Sequence, residues 1–274
     1  MANHQGYFNY VVLILALFTT IGFQITSNFA NDYGDGVKGT DNEDRIGPAR
    51  ALQSGILSRR QLKRGIYTSI LINLVLVMSL LFAAFGTEHP AYIFVFVILG
   101  AASIWAAVRY TVGDGAYGYK GLGDLFVFIF FGLLAVLGSM FLYTRFLDYM
   151  AVLPAITIGL LSVAVLNLNN LRDYHSDKKA NKITLIVKLG LEHGKIYHYG
   201  LLIASFICLL CYVLTEFGSW KNALCMIAYL PILVHFRTVY TIKKAVLFDP
   251  ELKKLALSTF LLALLFYIGY NNFL

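Results

Sequence analysis

The chain has 274 residues, 58% of them hydrophobic and 14% charged, and a net charge of +7. That length would suit one or two soluble domains, but so apolar a composition excludes a soluble globular protein and marks a polytopic membrane protein. The bases lie in short segments between apolar runs, which excludes a nucleic-acid surface and leaves topology and anionic lipid head groups to explain the charge.

Eight apolar runs follow one another, near residues 7–30, 66–86, 91–109, 124–143, 150–171, 196–216, 221–241 and 253–273. Each is about 19–24 residues, enough to cross a hydrocarbon core of about 30 Å as a helix. The runs lack the alternation of barrel strands. The predicted fold is therefore an all-α polytopic membrane protein, a bundle of eight transmembrane helices forming one domain over residues 1–274. The N-terminus has neither a basic n-region nor a small-residue cleavage site, so the first run does not read as a signal peptide.

The first run leads into "SNFANDYGDGVKGTDNEDRIGPAR", residues 27–50. Gln24, Asn28, the pair Asn31/Asp32 and Asp35 are spaced by three or four residues, so a continuing helix aligns them on one face. The third loop, "RYTVGDGAYGYKGLGD", carries Gly113, Gly115, Gly118, Gly121 and Gly123 without a preceding strand, so it is neither a Rossmann turn nor a P-loop. It reads either as a flexible membrane-surface loop or as a lid with Lys120 and Asp124 as its polar contacts. The fifth run ends in "LNLNNLRDYHSDKKANKITL", where Asn169, Asp173 and Asp177 step by four beside Asn170 and Arg172. His175 lies off that face and reads as a solvated neighbour. Cys208, Cys211 and Cys225 sit in apolar runs and read as packing residues despite one CxxC spacing. In "FDPELKK", Asp249 and Pro250 read as an N-cap and first turn.

Of the 22 Lys and Arg residues, 20 fall in or beside loops one, three, five and seven, and only Arg145 and Lys221 lie elsewhere. The positive-inside rule places those four loops in the cytoplasm and both termini outside. Polar stripes on membrane helices are costly unless they face an interior cavity or one another. The two acidic helix ends thus point to a shared polar chamber open to the cytoplasm. Asp clusters interleaved with bases suit a diphosphate: divalent cations bridge the carboxylates to it, and Lys and Arg pair with its remaining oxygens. Magnesium fits the oxygen donors, whereas zinc would need a His/Cys grouping that is missing here. The plainer reading, caps and loop salt bridges, explains one acidic loop better than two matched ones.

These motifs are familiar. "NDYGDGVKGTDNEDRIGPAR" with "ALQSG" resembles the first Asp-rich motif of the UbiA superfamily of intramembrane prenyltransferases, and "NNLRDYHSDKKANKITL" resembles its second. "DRIGP", "YGYKGLGD" and "NNLRD" are most similar to the menaquinone branch, which prenylates 1,4-dihydroxy-2-naphthoate. The resemblance implies a Mg²⁺-dependent transferase in the inner (cytoplasmic) membrane, with a polyprenyl diphosphate, an aromatic acid and membrane lipid as partners. No obligate protein partner is evident. It implies metal ligands at Asn31, Asp32, Asp35 and Asp41 and, in the second motif, at Asp173 and Asp177. Diphosphate contacts would come from Lys38, Arg45, Arg50, Arg172, Lys178 and Lys182. Asn28, Tyr110, Tyr117, Tyr119, Lys120, Asn169 and Asn170 are candidates for the acceptor or for an allylic cation, although each tyrosine suits an interfacial or packing role equally well.

Superfamily members usually have nine spans, and this chain starts at the second of them, so eight are expected. Two alternatives stay open: another aromatic acceptor such as 4-hydroxybenzoate or homogentisate, and, in a different class, a cation-coupled transporter. Transporter sites usually lie near the midplane on interrupted helices, whereas these acids lie at helix ends.

Overall fold

The computed structural model describes residues 1–41 and 46–271, which contain helices and no strand. Among them, eight helices are long and apolar enough to cross a membrane: Tyr10–Lys38, Arg59–Phe85, Pro90–Arg109, Gly123–Thr144, Tyr149–Arg172, Leu191–Thr215, Trp220–Thr241 and Ala245–Tyr270. The all-helical, eight-span expectation is met.

Three helix ends differ from the sequence pattern around the acidic residues, each for a local reason. The first span continues through the acidic motif to Lys38, because polar residues satisfy a helical backbone as well as apolar ones do. It stops where Gly39 takes a left-handed conformation at φ 71°. The fifth span ends at Arg172, and Asp173 leaves the helix at φ −91°, ψ 6° before a separate short helix, Tyr174–Lys179. Asn169, Asp173 and Asp177 therefore do not form one continuous helical stripe. The last span starts well before residue 253, so "FDPELKK" lies within it, with Leu247 rather than Asp249 at the α-helical N-cap. Pro250 falls in the first turn, where a missing N–H costs nothing.

The chain divides into two compact units. One comprises Phe8–Gly123 and Ser176–Ile183, and the other Met1–Tyr7, Asp124–His175 and Thr184–Leu274. In lipid, apolar burial does little to drive helices together, so small residues and buried hydrogen bonds have to. In the unit of the first three spans, Thr26 Oγ1 donates to Ser69 Oγ at 2.9 Å and Asn73 Nδ2 donates to Thr26 Oγ1 at 2.8 Å, with all three residues buried. Gly22 admits this pin: a Cβ there would lie 2.0 Å from Asn73 Oδ1. Ser58 and Gln61 close the start of the second span with a capping box.

In the other unit, the fourth span widens to π-helical winding over Phe128–Gly138. It crosses the fifth span glycine to glycine: a Cβ on Gly132 would lie 2.5 Å from Gly159 Cα. The core there is built on the fully buried Leu161, Leu168, Leu171, Leu209 and Leu255. A buried polar chain crosses it, with His198 Nε2 and His235 Nε2 2.8 Å apart and His235 Nδ1 2.6 Å from Glu251 Oε2.

Candidate active site

The first acidic motif is held rigidly at the end of its helix. Asp32 is 7% exposed, and its two carboxylate oxygens accept the backbone N–H groups of Ala51 at 3.0 Å and Leu52 at 3.2 Å. The glycines of "NDYGDG" make room for such approaches. A Cβ on Gly34 would come within 2.4 Å of Thr111 Oγ1, and one on Gly36 within 2.5 Å of Leu52 Cδ2. Thr111 Oγ1 bonds the Ala30 carbonyl at 2.9 Å and the Asn31 amide oxygen at 3.4 Å. One end of the first helix is thus clamped between the Ala51–Leu52 segment and the third loop.

One turn on, Asp35 is 4% exposed. It accepts the Tyr119 hydroxyl at 2.7 Å and faces the Lys182 ammonium at 3.4 Å. Lys182 also lies 3.9 Å from Asp177, a residue of the second motif that packs in the same unit. The Tyr119 ring is flanked by cations, with Lys38 Nζ 3.9 Å and Lys182 Nζ 5.4 Å from its centroid. Thr40 and Tyr119 share a further hydroxyl contact, and Asp41, buried, lies 3.9 Å from the Arg50 guanidinium. Burial and the Asp35 carboxylate both push the Tyr119 phenol above its ordinary pKa. Burial alone would lower the Lys182 ammonium, but Asp35 and Asp177 outweigh it and raise it above the usual lysine value. Tyr119 therefore stays a donor and Lys182 a cation at neutral pH.

Two glycines of the third loop, Gly113 and Gly115, lie against Arg109. A Cβ on Gly113 or Gly115 would fall 2.5 or 2.6 Å from the Arg109 guanidinium, and Gly113 has φ 83°. The backbone wraps that side chain, which the sequence reading did not single out. Tyr117 is buried, donates its hydroxyl to the Ala106 carbonyl at 2.8 Å and packs against Trp105 and Tyr110. Asn28 is exposed and bonded to Gln24. Lys120 and Lys178 are exposed, and Arg45 lies outside the described residues.

In the other unit, Arg172 is 3% exposed and is gripped on every nitrogen. It makes a bidentate pair with Asp173, both bonds 2.8 Å, donates to Asn169 at 2.7 Å, and reaches Asp249. Asp249, expected only as a helix cap, is thus the second carboxylate on this guanidinium, and no spacing in the sequence signals it. Asn170 is buried beside them in the chain. Asp124 is buried at the start of the fourth span and hydrogen-bonded to Tyr197, so it serves helix packing rather than a lid. Among the described residues, no three His, Cys, Asp or Glu side chains converge as a ready-made metal site. The donor set at the first motif is nonetheless all oxygen, buried and already engaging a cation in Lys182, which is the chemistry a hard divalent ion needs.

Buried carboxylates and an ammonium group meet at the end of this membrane helix. The family model described as UbiA prenyltransferase family matches residues 1–247. The chain belongs to that family. Similar proteins include the 1,4-dihydroxy-2-naphthoate octaprenyltransferase of Haemophilus influenzae, 44% identical over 98% of this chain and 86% of that protein. The Escherichia coli protein of the same name is 42% identical over 98% of this chain and 87% of its own length. That of Mycobacterium tuberculosis is 37% identical over 76% of this chain and 67% of its own. As a UbiA family member, the chain is a prenyltransferase, which leaves no place for the transporter alternative.

Proposed function

We propose that this membrane enzyme transfers a polyprenyl group from its diphosphate to 1,4-dihydroxy-2-naphthoate, releasing diphosphate and CO₂ and giving demethylmenaquinone. The observation that carries the reading is the grouping of Asp32, Asp35, Asp41 and Asp177 with Lys38, Arg50 and Lys182 in one compact unit. The near-full-length likeness to two proteins named for naphthoate prenylation selects the acceptor. Octaprenyl diphosphate, the donor class in their names, is the first donor to try.

The four aspartates, with Asn31, would hold Mg²⁺, and Asp173 is proposed as the remaining ligand of the second motif. When bound, the ion supplies Lewis-acid stabilisation of the departing diphosphate. Backbone N–H groups of Ala51 and Leu52 fix the Asp32 carboxylate before any ligand arrives, so no reorganisation is needed at the moment of reaction. Lys38 and Lys182 bring positive charge to the phosphate oxygens as the allylic C–O bond breaks. The Tyr119 ring, whose face already attracts both ammonium groups, suits the allylic cation. Apolar spans keep water from that cation until the naphthoate ring attacks at the carboxyl-bearing carbon. The new C–C bond then replaces the C–CO₂⁻ bond, whose electron pair restores the aromatic ring as CO₂ leaves. Arg172, bidentate to Asp173, sets the orientation of that carboxylate. The weight of Lys and Arg in alternate loops supports a site opening to the cytoplasm.

The test is an acceptor panel of purified protein, octaprenyl diphosphate and Mg²⁺ with the naphthoate, 4-hydroxybenzoate and homogentisate, read by product mass. The expected product is the prenylated naphthoate less CO₂, formed only with Mg²⁺. A product from 4-hydroxybenzoate alone would overturn the acceptor assignment.

A further inference from the structure

Lys182 occupies a position its motif does not explain. It stands at the end of a tight turn in which its own N–H bonds the Asp177 carbonyl at 2.8 Å and Asn181 takes φ 54°. Its ammonium lies 3.4 Å from Asp35 Oδ2 and 3.9 Å from Asp177 Oδ1, so one side chain joins the first acidic motif to the second. Both carboxylates are almost fully buried, at 4% and 3% exposure, and the Lys182 side chain is itself only 12% exposed. Two buried carboxylates without a cation between them would repel strongly.

We propose that Lys182 is a tethered counter-ion: it ties Asp35 to Asp177 when no divalent ion is bound, and it gives them up to Mg²⁺ and turns to the diphosphate. The inference rests on the metal-and-diphosphate reading above. Mg²⁺ binds oxygen at about 2.0–2.1 Å, so a metal ion on the carboxylate oxygens that face the ammonium competes with it in charge and in space. Lysine suits the exchange, having a point charge on a flexible four-carbon stem where arginine has a rigid fork. The Tyr119 ring, 5.4 Å from the ammonium, offers the cation a surface along the way. Mg²⁺ alone then binds weakly, because it must displace an internal cation, and Mg²⁺ arriving with diphosphate binds well, because Lys182 gains a new anion. Such coupling keeps the metal from settling in the site without substrate.

The measurement is Mg²⁺ affinity without turnover, from thermal unfolding of the full chain in detergent titrated with Mg²⁺, with and without inorganic diphosphate. Wild-type protein is expected to respond to Mg²⁺ strongly only when diphosphate is present. Lys182→Gln is expected to bind Mg²⁺ alone at least about tenfold more tightly, a small part of what displacing a unit charge at contact distance is worth in a partly buried site. It should also lose most of the diphosphate enhancement, while Lys182→Arg keeps the wild-type pattern in weakened form. Equal or weaker Mg²⁺ affinity in Lys182→Gln overturns the inference. If Lys182→Gln folds only with Mg²⁺ present, chelation must unfold it where wild type survives, and a variant that Mg²⁺ does not rescue also overturns the inference. Wild-type turnover with Mg²⁺ is scored separately. Its absence would defeat the proposed function, whereas unchanged Mg²⁺ affinity beside normal turnover would defeat only the role of Lys182.

Discussion

The Tyr119 hydroxyl donates to Asp35 Oδ1 at 2.7 Å, binding the third loop to the acidic end of the first helix. A hydrogen bond to a carboxylate is worth about 1.5–3 kcal/mol. Tyr119→Phe should therefore lower kcat/KM by about tenfold to a hundredfold, with the ring and its cation contacts retained. Steady-state kinetics of Tyr119→Phe beside Tyr119→Ala separates the hydroxyl from the ring, and equal losses in the two would leave the ring without a role.

The same phenol sets an alkaline limit. Burial and Asp35 raise its pKa in the folded chain above the ordinary tyrosine value of about 10. A group raised in this way contributes stability that is complete below its unfolded pKa and is lost as pH climbs through the folded one. Thermal unfolding should thus be insensitive to Tyr119 from neutral pH to about 10 and fall above it. Tyr119→Phe should lose less stability than wild type over that alkaline range.

Arg172 tests the second motif. Its bidentate pair with Asp173 is buried, while Asp249 is half exposed. Removing one partner of a buried pair costs about 3–5 kcal/mol, so Asp173→Ala should destabilise the protein severely as well as abolish turnover. Asp249→Asn keeps a hydrogen-bond acceptor in place and should cost no more than about 1 kcal/mol. Chemical or thermal unfolding of both variants checks the order, and a reversed order would contradict the geometry.

Two glycines of the first motif separate backbone from side-chain crowding. Gly34→Ala sets its methyl 2.7 Å from the Thr111 backbone carbon, whereas Gly36→Ala meets the Leu52 side chain. Overpacking costs about 1–3 kcal/mol. Leu52→Ala should restore most of the stability lost in Gly36→Ala, and Thr111→Ala should fail to restore Gly34→Ala.

The buried chain from His198 through His235 to Glu251 joins the sixth, seventh and eighth spans. Lys254 completes it through the other Glu251 oxygen. Glu251→Ala leaves His235 and Lys254 without their acceptor and should lower the detergent melting temperature by the equivalent of about 1–3 kcal/mol. Glu251→Gln, which still accepts at one oxygen, should lose clearly less.

What the sequence determined by itself is what depends on composition and local spacing. Long apolar runs dictate membrane helices, since only an internally bonded backbone is tolerated in lipid. Carboxylates interleaved with bases announce diphosphate chemistry before any residue is placed. The tertiary structure alone decided which charges meet. Nothing in spacing pairs Lys182 with Asp35, 147 positions away, or Asp249 with Arg172, because such pairs are set by how helices pack and not by periodicity along one of them. The step of four from Asn169 to Asp177 misled for the same reason: the helix ends at Arg172, where the guanidinium takes hold of Asp173, Asn169 and Asp249. Periodicity describes a helix only as far as the helix runs, and at the end of this one Arg172 binds two neighbours in sequence and one carboxylate 77 positions away.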